Sequence, residues 1–320
     1  MISRRTLLAA SLALALPARA QAAWPSRPLR IIVPFAPGGS VDILARTIAP
    51  ALQERLGQAV TVENRTGANG SVGGIHVAQS AADAHTLLVS ASIQPLARLV
   101  MRNPGYDPLT DLLPIAWLGQ GPLLLANHPA RPVNNLAELV QAARQNPAEW
   151  SFGVGSLGSA GHLATIELVR IIGADITLVP YRGTTPALAG LMGGRIGAHI
   201  DPVLAMLPPV RAGNLRGIAI TAAQRSTAAP DIPTTAEAGF PSVDIQSWWG
   251  LWGPRGLPEA ARRRLGEELP AVIADAAVRA RLNSAGVEAR FEGNAAFAEI
   301  IAREVARGEA LFRLARVEPE

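Results

Sequence analysis

The stretch that decides the fold is VPFAPGGSVD, which runs from Val33 to Asp42. It continues an apolar run over residues 29–34 that is typical of a buried parallel strand. After Ser40, apolar side chains recur at helical spacing as far as Gly57, a residue type that often ends helices. The paired glycines therefore lie in a strand-to-helix turn, where bare backbone can approach a ligand. With Ser40 as the expected N-cap, the free amides of the helix start favour an anion.

The same alternation of short apolar runs and helical patterns continues along the chain. Further strands are predicted at 59–63, 86–90, 123–126, 150–154, 176–180, 196–200 and 215–221. Helices are predicted from the turn-rich segment 64–70 to about residue 82, at 136–145, 163–172 and 186–192, and over most of the chain after residue 259. This pattern predicts an α/β fold with helices packed on mostly parallel sheets. A chain of 320 residues exceeds one ordinary core, so two domains are expected, with crossings near 119–122 and 230–241.

The N-terminus has the features of a secretory signal peptide over residues 1–22. Arg4 and Arg5 precede an apolar run at 7–16, and small residues follow in A-x-A order. The run over 3–8 resembles a twin-arginine signal, and a Sec signal with two arginines is the alternative. The apolar run is too short for a membrane anchor. We therefore expect an exported, soluble, periplasmic protein that is not inserted in the membrane.

The composition excludes several classes of chemistry. The chain has no Cys and no Lys, so disulfides, thiolate sites, Schiff bases and a Walker-type phosphate loop are not available. Without the three arginines of the leader, 26 basic residues remain against 25 acidic ones, a formal charge of about +1. The arginines are scattered among acids, which argues against a nucleic-acid surface. The five histidines are dispersed, and we expect neither a metal nor a cofactor.

Two motifs point toward other functions. Residues 153–158 form a literal G-x-G-x-x-G after a strand, with Asp175 further on, as in dinucleotide-binding folds. Export and the extra residues 159–161 before the helix disfavour that interpretation. Residues 154–158 approach a nucleophile elbow without its first glycine. A secreted serine hydrolase that uses Ser156 with His162, and Asp201 further along, therefore stays an alternative.

A second glycine and serine loop, at 158–162, repeats the strand, loop and helix order of the first. Both loops would lie at the carboxyl ends of parallel strands, where α/β proteins bind their ligands. A small carboxylate held between two domains by amides and hydroxyls requires neither Lys nor Cys. Two such loops in two domains therefore favour a carboxylate-binding cleft.

Several motifs resemble one known family. They are Pro28–Phe35 followed by Gly38–Asp42 and Arg46, Val62–Arg65 with Gly67–Ala68, Tyr106–Pro108, His162–Leu163, Val179–Gly183, Pro230–Thr234 with Glu237–Gly239, and Ser247–Leu251 with Pro254. In this order they are similar to the Bug family, the extracytoplasmic solute receptors associated with tripartite tricarboxylate transporters. The resemblance covers nearly the whole chain after the leader.

The resemblance implies a two-lobed periplasmic binding protein, similar to type II, with a mostly parallel sheet and flanking helices in each lobe. It implies a receptor without catalytic activity that closes by hinge motion on a small organic acid and passes it to membrane permease subunits. The ligand class is a mono-, di- or tricarboxylate, an aromatic acid or an amino acid, and the protein is expected to be a monomer. We expect residues 23–121 and 245–320 to form lobe 1 and residues 122–244 to form lobe 2.

Carried over by position, the resemblance implies two walls of a ligand site. The first-lobe wall would contain Phe35, Gly38, Gly39, Ser40, Ser90 and Ser92, and the second-lobe wall Ser156, Ser159, Ala160, Tyr181 and Asp201. Asp201 could accept a hydrogen bond from a hydroxyl or ammonium group of the ligand, or could simply cap a strand end. The tryptophans at 248, 249 and 252 are expected to pack the core instead of lining the cleft mouth.

The chain also departs from the family pattern. Val154 stands where the family commonly has serine, and Ser156 stands where it commonly has glycine. These changes leave the second-lobe hydrogen bonds and the identity of the ligand open. A ligand-sensing subunit for a membrane signalling protein would use the same pocket, and the sequence does not separate it from a transport receptor.

Overall fold

The structure is a computed structural model that describes residues 24–319, so the predicted leader at 1–22 lies outside the described residues. In this range the strands are β1 (Leu29–Val33), β2 (Val60–Asn64), β3 (Thr86–Ala91), β4 (Leu112–Asn127), β5 (Ser151–Val154), β6 (Thr177–Pro180), β7 (Ala198–Pro202), β8 (Arg216–Ile220), β9 (Gln246–Pro254) and β10 (Glu288–Gly293). The helices are α1 (Ser40–Leu56), α2 (Ser71–Ala78), α3 (Ala97–Val100), α4 (Leu136–Gln145), α5 (Ala160–Ile172), α6 (Thr184–Met192), α7 (Val203–Arg211), α8 (Glu259–Ala274), α9 (Ala276–Ser284) and α10 (Asn294–Leu314).

The strands form two sheet halves joined by β4. In the first half, β1 pairs in parallel with β2 and β3. In the second half, β5 pairs in parallel with β6 and β7. The first part of β4 pairs antiparallel with β9 and β10, and its last part pairs antiparallel with β7 and β8. These halves are the two lobes of an α/β fold, as the sequence predicts.

The first strand, turn and helix form as predicted, with one correction at the cap. Leu29, Ile31, Ile32 and Val33 of β1 are fully buried, and α1 ends at Gly57, whose φ of 64° is left-handed. The N-cap is Gly39 and not Ser40, which is the first residue of the helix. The carboxylate of Asp42 accepts a hydrogen bond from the Gly38 amide at 2.9 Å. Asp42 therefore closes the turn, and the Ser40 hydroxyl is left free.

The long strand β4 was predicted only as a short segment at 123–126. The strand continues through the prolines and glycines of 114–122, with register shifts opposite β9 at 114–116 and 117–119. At Gly119, φ is 146°, and a Cβ atom would lie 2.5 Å from the Glu288 carbonyl oxygen of β10. The predicted crossing at 119–122 is thus a point inside one continuous strand.

The tryptophans near the C-terminal end of the fold pack in the core, as expected. Trp248, Trp249 and Trp252 of β9 are buried, and the rings of Trp252 and Phe297 lie 4.9 Å apart. Phe297 belongs to α10, so this helix covers the face of the first sheet half. No helix within residues 24–319 combines the length and the apolar character needed to cross a membrane.

Candidate functional site

A small cavity lies between the two sheet halves, at the carboxyl ends of their parallel strands. Its volume is about 40 Å³, several times the roughly 10–15 Å³ of such space that one water needs. The lining comes from the loops after β1, β3, β5 and β6, the end of β7 and the start of β9. These residues are Phe35, Ala36, Gly39, Ser40, Val41, Ala91, Ser92, Ile93, Gly155, Ser156, Ser159, Ala160, Gly183, Thr184, Asp201, Pro202 and Ser247.

Three helices begin at this cavity, α1 at Ser40, α5 at Ala160 and α6 at Thr184. The first amides of a helix have no partner within the helix, and the positive end of its dipole favours an anion. Because the three helices come from both sheet halves, their free amides converge on the space between the lobes. The arrangement can hold a small anion without a cationic side chain.

The three helix starts differ in how far side chains of the protein satisfy their free amides and balance the positive end of the helix dipole. At α1, burial alone would raise the pKa of Asp42, but hydrogen bonds from Arg46, the Gly38 amide and Asn64 hold that pKa below its usual value. At α5, the Ser159 hydroxyl caps the helix by accepting from the His162 amide at 3.1 Å. The start of α6 has neither a side-chain cap nor an acidic residue in its first turn. Among the three, α6 is therefore the start best suited to an external anion.

Hydroxyl groups supply the remaining polar surface of the cavity. Ser40, Ser92, Ser156 and Ser247 line it and are buried. Within the described part of the chain, their hydroxyls make no hydrogen bond by the usual geometric limits. Buried hydroxyls normally find partners, so these four are available to a ligand.

One ionisable side chain lines the cavity among the described residues, the carboxylate of Asp201. It is 3% exposed, and its Oδ2 lies 3.3 Å from Nε2 of the buried His199. The other ring nitrogen of His199, Nδ1, lies 2.9 Å from the Gly153 carbonyl oxygen. A carboxylate is thus held, with a histidine behind it, in a cavity otherwise supplied with hydrogen-bond donors.

The structure brings most of the predicted site residues to the cavity. These are Phe35, Gly39, Ser40, Ser92, Ser156, Ser159, Ala160 and Asp201. Gly38, Ser90 and Tyr181 are not among the lining residues. Gly38 forms the turn with a φ of 80°, Ser90 is fully buried within β3, and the Tyr181 ring packs against Gly190.

Gly183 and Thr184 at the start of α6 line the cavity but were not predicted as site residues. The signal was present, because residues 176–180 were predicted as a strand and Gly183 precedes the next helical pattern. The same order of strand, glycine and helix start predicts a site element at two other places in the chain. Applied a third time, the same rule indicates this turn.

The arrangement of Ser156 and His162 is not that of a nucleophile and its base. Ser156 lines the cavity between the lobes, whereas His162 lines a separate cavity of about 170 Å³ with Val317. His162 Nδ1 accepts a hydrogen bond from the Gly158 amide at 3.0 Å, and the ring packs against Phe312. Burial lowers the pKa of His162 to about 4. The histidine is a structural support of the loop after β5.

A larger groove of about 660 Å³ lies between α10, β10 and β9. Its charges are paired with one another, Arg290 with Glu292 at 2.8 Å and Arg307 with Asp244 at 3.6 Å. Burial raises the pKa of Glu304, whose carboxylate accepts a hydrogen bond from Trp248 Nε1 at 3.2 Å. Because four acids outnumber three arginines there, this groove offers a carboxylate much less than the cavity between the lobes.

Comparisons with known proteins agree with this geometry. The family model of the tripartite tricarboxylate transporter family receptor matches residues 44–315. Protein BugT of Bordetella pertussis is 42% identical over 236 residues, which cover 73% of this chain and 72% of that protein. The structure of R. palustris Rpa4515 with adipate has a TM-score of 0.89 and 36% identity, covering 93% of this chain and all of that one. The periplasmic binding protein BugD has a TM-score of 0.88 and 30% identity over the same shares.

Proposed function

Since the chain belongs to the tripartite tricarboxylate transporter receptor family and has the two-lobed fold of its periplasmic binding proteins, we propose that it captures a small organic carboxylate between its lobes. It then delivers this solute to the membrane permease subunits of a tripartite transporter. The relatives that define the family are binding proteins, and the proposed role involves no catalytic step.

The observation that carries the proposal is the polar surface of the cavity between the lobes. Three helix starts and four free serine hydroxyls face this small space. Among the described residues, no Arg side chain lines it. Helix amides stabilise an anion without the desolvation cost of a buried cationic side chain. One relative, Rpa4515, has been solved with adipate, a dicarboxylate, and this supports a carboxylate as the ligand of this chain too.

The proposed motion is closure of two lobes about the strands that connect them. Residues 23–121 and 245–320 would form one lobe and residues 122–244 the other. The chain would cross between them within β4 and again just before β9, where Pro122 and Gln246 are paired. Hinges of this kind are short segments that absorb the rotation while each lobe stays rigid. Export to the periplasm by the predicted leader, and a monomeric state, complete the proposed role.

The test is a thermal-shift titration of the chain without its leader against mono-, di- and tricarboxylates, aromatic acids and acidic amino acids. A ligand at about 100 times its Kd stabilises the folded state by about 2.7 kcal/mol, which is readily measured. We expect a saturable shift with one class of acid. A flat response to every acid would contradict the proposal, as would ester turnover that disappears in Ser156→Ala.

A matched pair of variants locates the binding site. Gly39 and Gly293 are both N-cap glycines with a φ of −76°, but only Gly39 lines the cavity. Gly39→Leu should abolish the ligand-induced shift by filling the cavity, and Gly293→Leu should preserve it. An unchanged shift in Gly39→Leu would place the ligand elsewhere.

A further inference from the structure

We propose that the ligand of this receptor is a small carboxylate that carries a hydroxyl group, and that Asp201, positioned by His199, selects it. The inference rests on the proposed function and deepens it. Among the described residues, one carboxylate lies in the cavity beside helix amides and serine hydroxyls.

The carboxylate of Asp201 has one satisfied and one free oxygen. Oδ2 faces His199 Nε2 at 3.3 Å, whereas Oδ1 accepts no hydrogen bond from another described residue. Asp201 is 3% exposed and lines the cavity, so a ligand in the cavity is the partner within reach of Oδ1. An unpaired carboxylate oxygen at such a site is costly, and a donor group of the ligand removes that cost.

Two glycines lie close to this carboxylate. A Cβ atom at Gly155 would lie 3.1 Å from Asp201 Oδ2, and one at Gly161 would lie 3.3 Å from Oδ1. Both separations are tighter than ordinary van der Waals contact. The loop after β5 and the start of α5 therefore lie against Asp201 without a side chain that would shield it.

The hydrogen bonds of His199 fix the number of protons on the pair. The carbonyl oxygen of Gly153 can only accept, so Nδ1 at 2.9 Å carries a proton and donates it. A neutral ring would then turn the lone pair of Nε2 toward the lone pairs of Asp201. The contact is favourable only when a further proton lies between Nε2 and Oδ2. The pair therefore holds one proton more than a neutral histidine and an ionised aspartate, and its net charge is zero.

A pair without net charge favours a hydroxyl over an ammonium group. It accepts a hydrogen bond at Oδ1 and exerts little repulsion on the ligand's own carboxylate. An ammonium group would bring a positive charge close to the histidine without a net negative partner to balance it. A hydroxyl needs only the acceptor.

The experiment compares acids that differ only in the donor group, by isothermal titration of the chain without its leader. Malate, succinate and aspartate form one set, and lactate, propionate and alanine form another. We expect the hydroxy acid to bind at least tenfold more tightly than its unsubstituted partner, since a hydrogen bond to a charged group is worth a factor of this size. The amino acid should bind more weakly than the hydroxy acid.

Variants separate the role of Asp201 from a merely structural one. Asp201→Ala should bring the ratio of malate to succinate affinity close to one, while Asp175→Ala, which removes an exposed carboxylate, should leave the ratio unchanged. His199→Gln leaves Asp201 without its extra proton. The ratio of malate to aspartate affinity should then fall, which loss of structure alone would not cause.

The possible results separate a failure of the role given to Asp201 from a failure of the proposed function. Binding of malate and succinate within threefold of each other in the unaltered chain overturns the assignment of Asp201, and so does tighter binding of aspartate than of malate. A preserved ratio in Asp201→Ala overturns it as well. If no member of either set binds and the wider acid panel is also flat, the proposed function fails and this inference falls with it.

Discussion

His162 shows at the scale of one residue how burial controls charge. Its ring lies under the loop after β5, its Nδ1 accepts from the Gly158 amide, and burial lowers its pKa to about 4. In the unfolded chain the pKa of histidine is near 6.5. Between these two values the unfolded chain binds a proton that the folded protein does not, so stability falls as the pH is lowered through this range.

We predict that this residue alone removes about 2 kcal/mol from the free energy of unfolding between pH 7 and pH 4.5. His162→Gln keeps an acceptor for the Gly158 amide and cannot gain the proton. Urea unfolding at the two pH values should therefore show a smaller loss in the variant than in the unaltered chain. His128→Gln is the control, because its Nδ1 also accepts a backbone amide, that of Ala130 at 3.1 Å, but near the surface. An equal loss in the His162 variant and the unaltered chain would contradict the prediction.

Residue types and spacing identified much of the candidate site. The features that they did not identify were missed for physical reasons. Gly39, Ser40 and Ser159 were recognisable because glycine and serine have known roles at helix starts. The cap itself was misplaced by one residue: Gly39 takes the cap position, Ser40 is the first residue of the helix, and the Gly38 amide binds Asp42. The contact of Asp201 with His199 was not predicted, although side chains two residues apart in a strand share a face; it also depends on the space that Gly155 leaves beside them.

At the scale of elements, the close packing of α5 on β7 depends on one glycine. A methyl group at Gly161 would overlap the carbonyl oxygen of Ile200, and it would also approach Asp201. The helix therefore lies closer to the strand than any side chain would allow, and its first turn reaches the cavity. This packing is what places the start of α5 beside Asp201.

We predict that Gly161→Ala lowers the free energy of unfolding by about 1–3 kcal/mol, the usual cost of overpacking. Gly266→Ala, in the exposed middle of α8 where a Cβ atom would meet nothing, should raise it by about 0.5–1 kcal/mol because alanine favours helix. Urea unfolding of both variants measures the contrast. If the two substitutions shifted stability in the same direction, the close approach of α5 to β7 would not be the reason for Gly161.

The elements that the sequence predicts well are those whose apolar pattern is local. Strand β1 and helices α1 and α4 begin and end within about a residue of their predicted bounds. Strands β9 and β10 were missed, because β9 reads as a run of tryptophans and glycines and β10 as a charged segment. Their strand state comes from pairing with β4, a partner more than a hundred residues away in the chain.

At the scale of the whole molecule, the family resemblance predicted what local patterns could not. The alternation of strands and helices indicated an α/β protein of two domains, and the motifs indicated a two-lobed receptor family, which the comparisons confirm. Neither signal specified how one lobe touches the other. Beside the cavity, two side-chain hydrogen bonds link the lobes, from Asn69 to the Leu157 carbonyl at 2.7 Å and from Thr185 to the Pro37 carbonyl at 3.0 Å.

These two bonds join the sheet halves across the cavity, so we predict that they stabilise the closed state and leave each lobe's own fold unaffected. Thr185→Val removes the hydroxyl and keeps the shape. Because this bond is exposed, its loss should cost about 0.5–1 kcal/mol, which weakens ligand binding two- to fivefold and raises the dissociation rate. The closed, competent state becomes less populated, and the apparent Kd rises in proportion.

The measurement is stopped-flow dissociation of the best-binding acid, together with the melting temperature of the ligand-free chain, which should stay nearly constant. Thr177→Val, on the exposed face of β6, removes a hydroxyl far from the cavity and should change neither quantity. Adding Asn69→Gly, which preserves the left-handed φ of 52° at that position, should increase the dissociation rate further. If dissociation is unchanged in both variants, these two bonds do not contribute to closure, because only bonds that exist in one state and not the other can shift the balance between them.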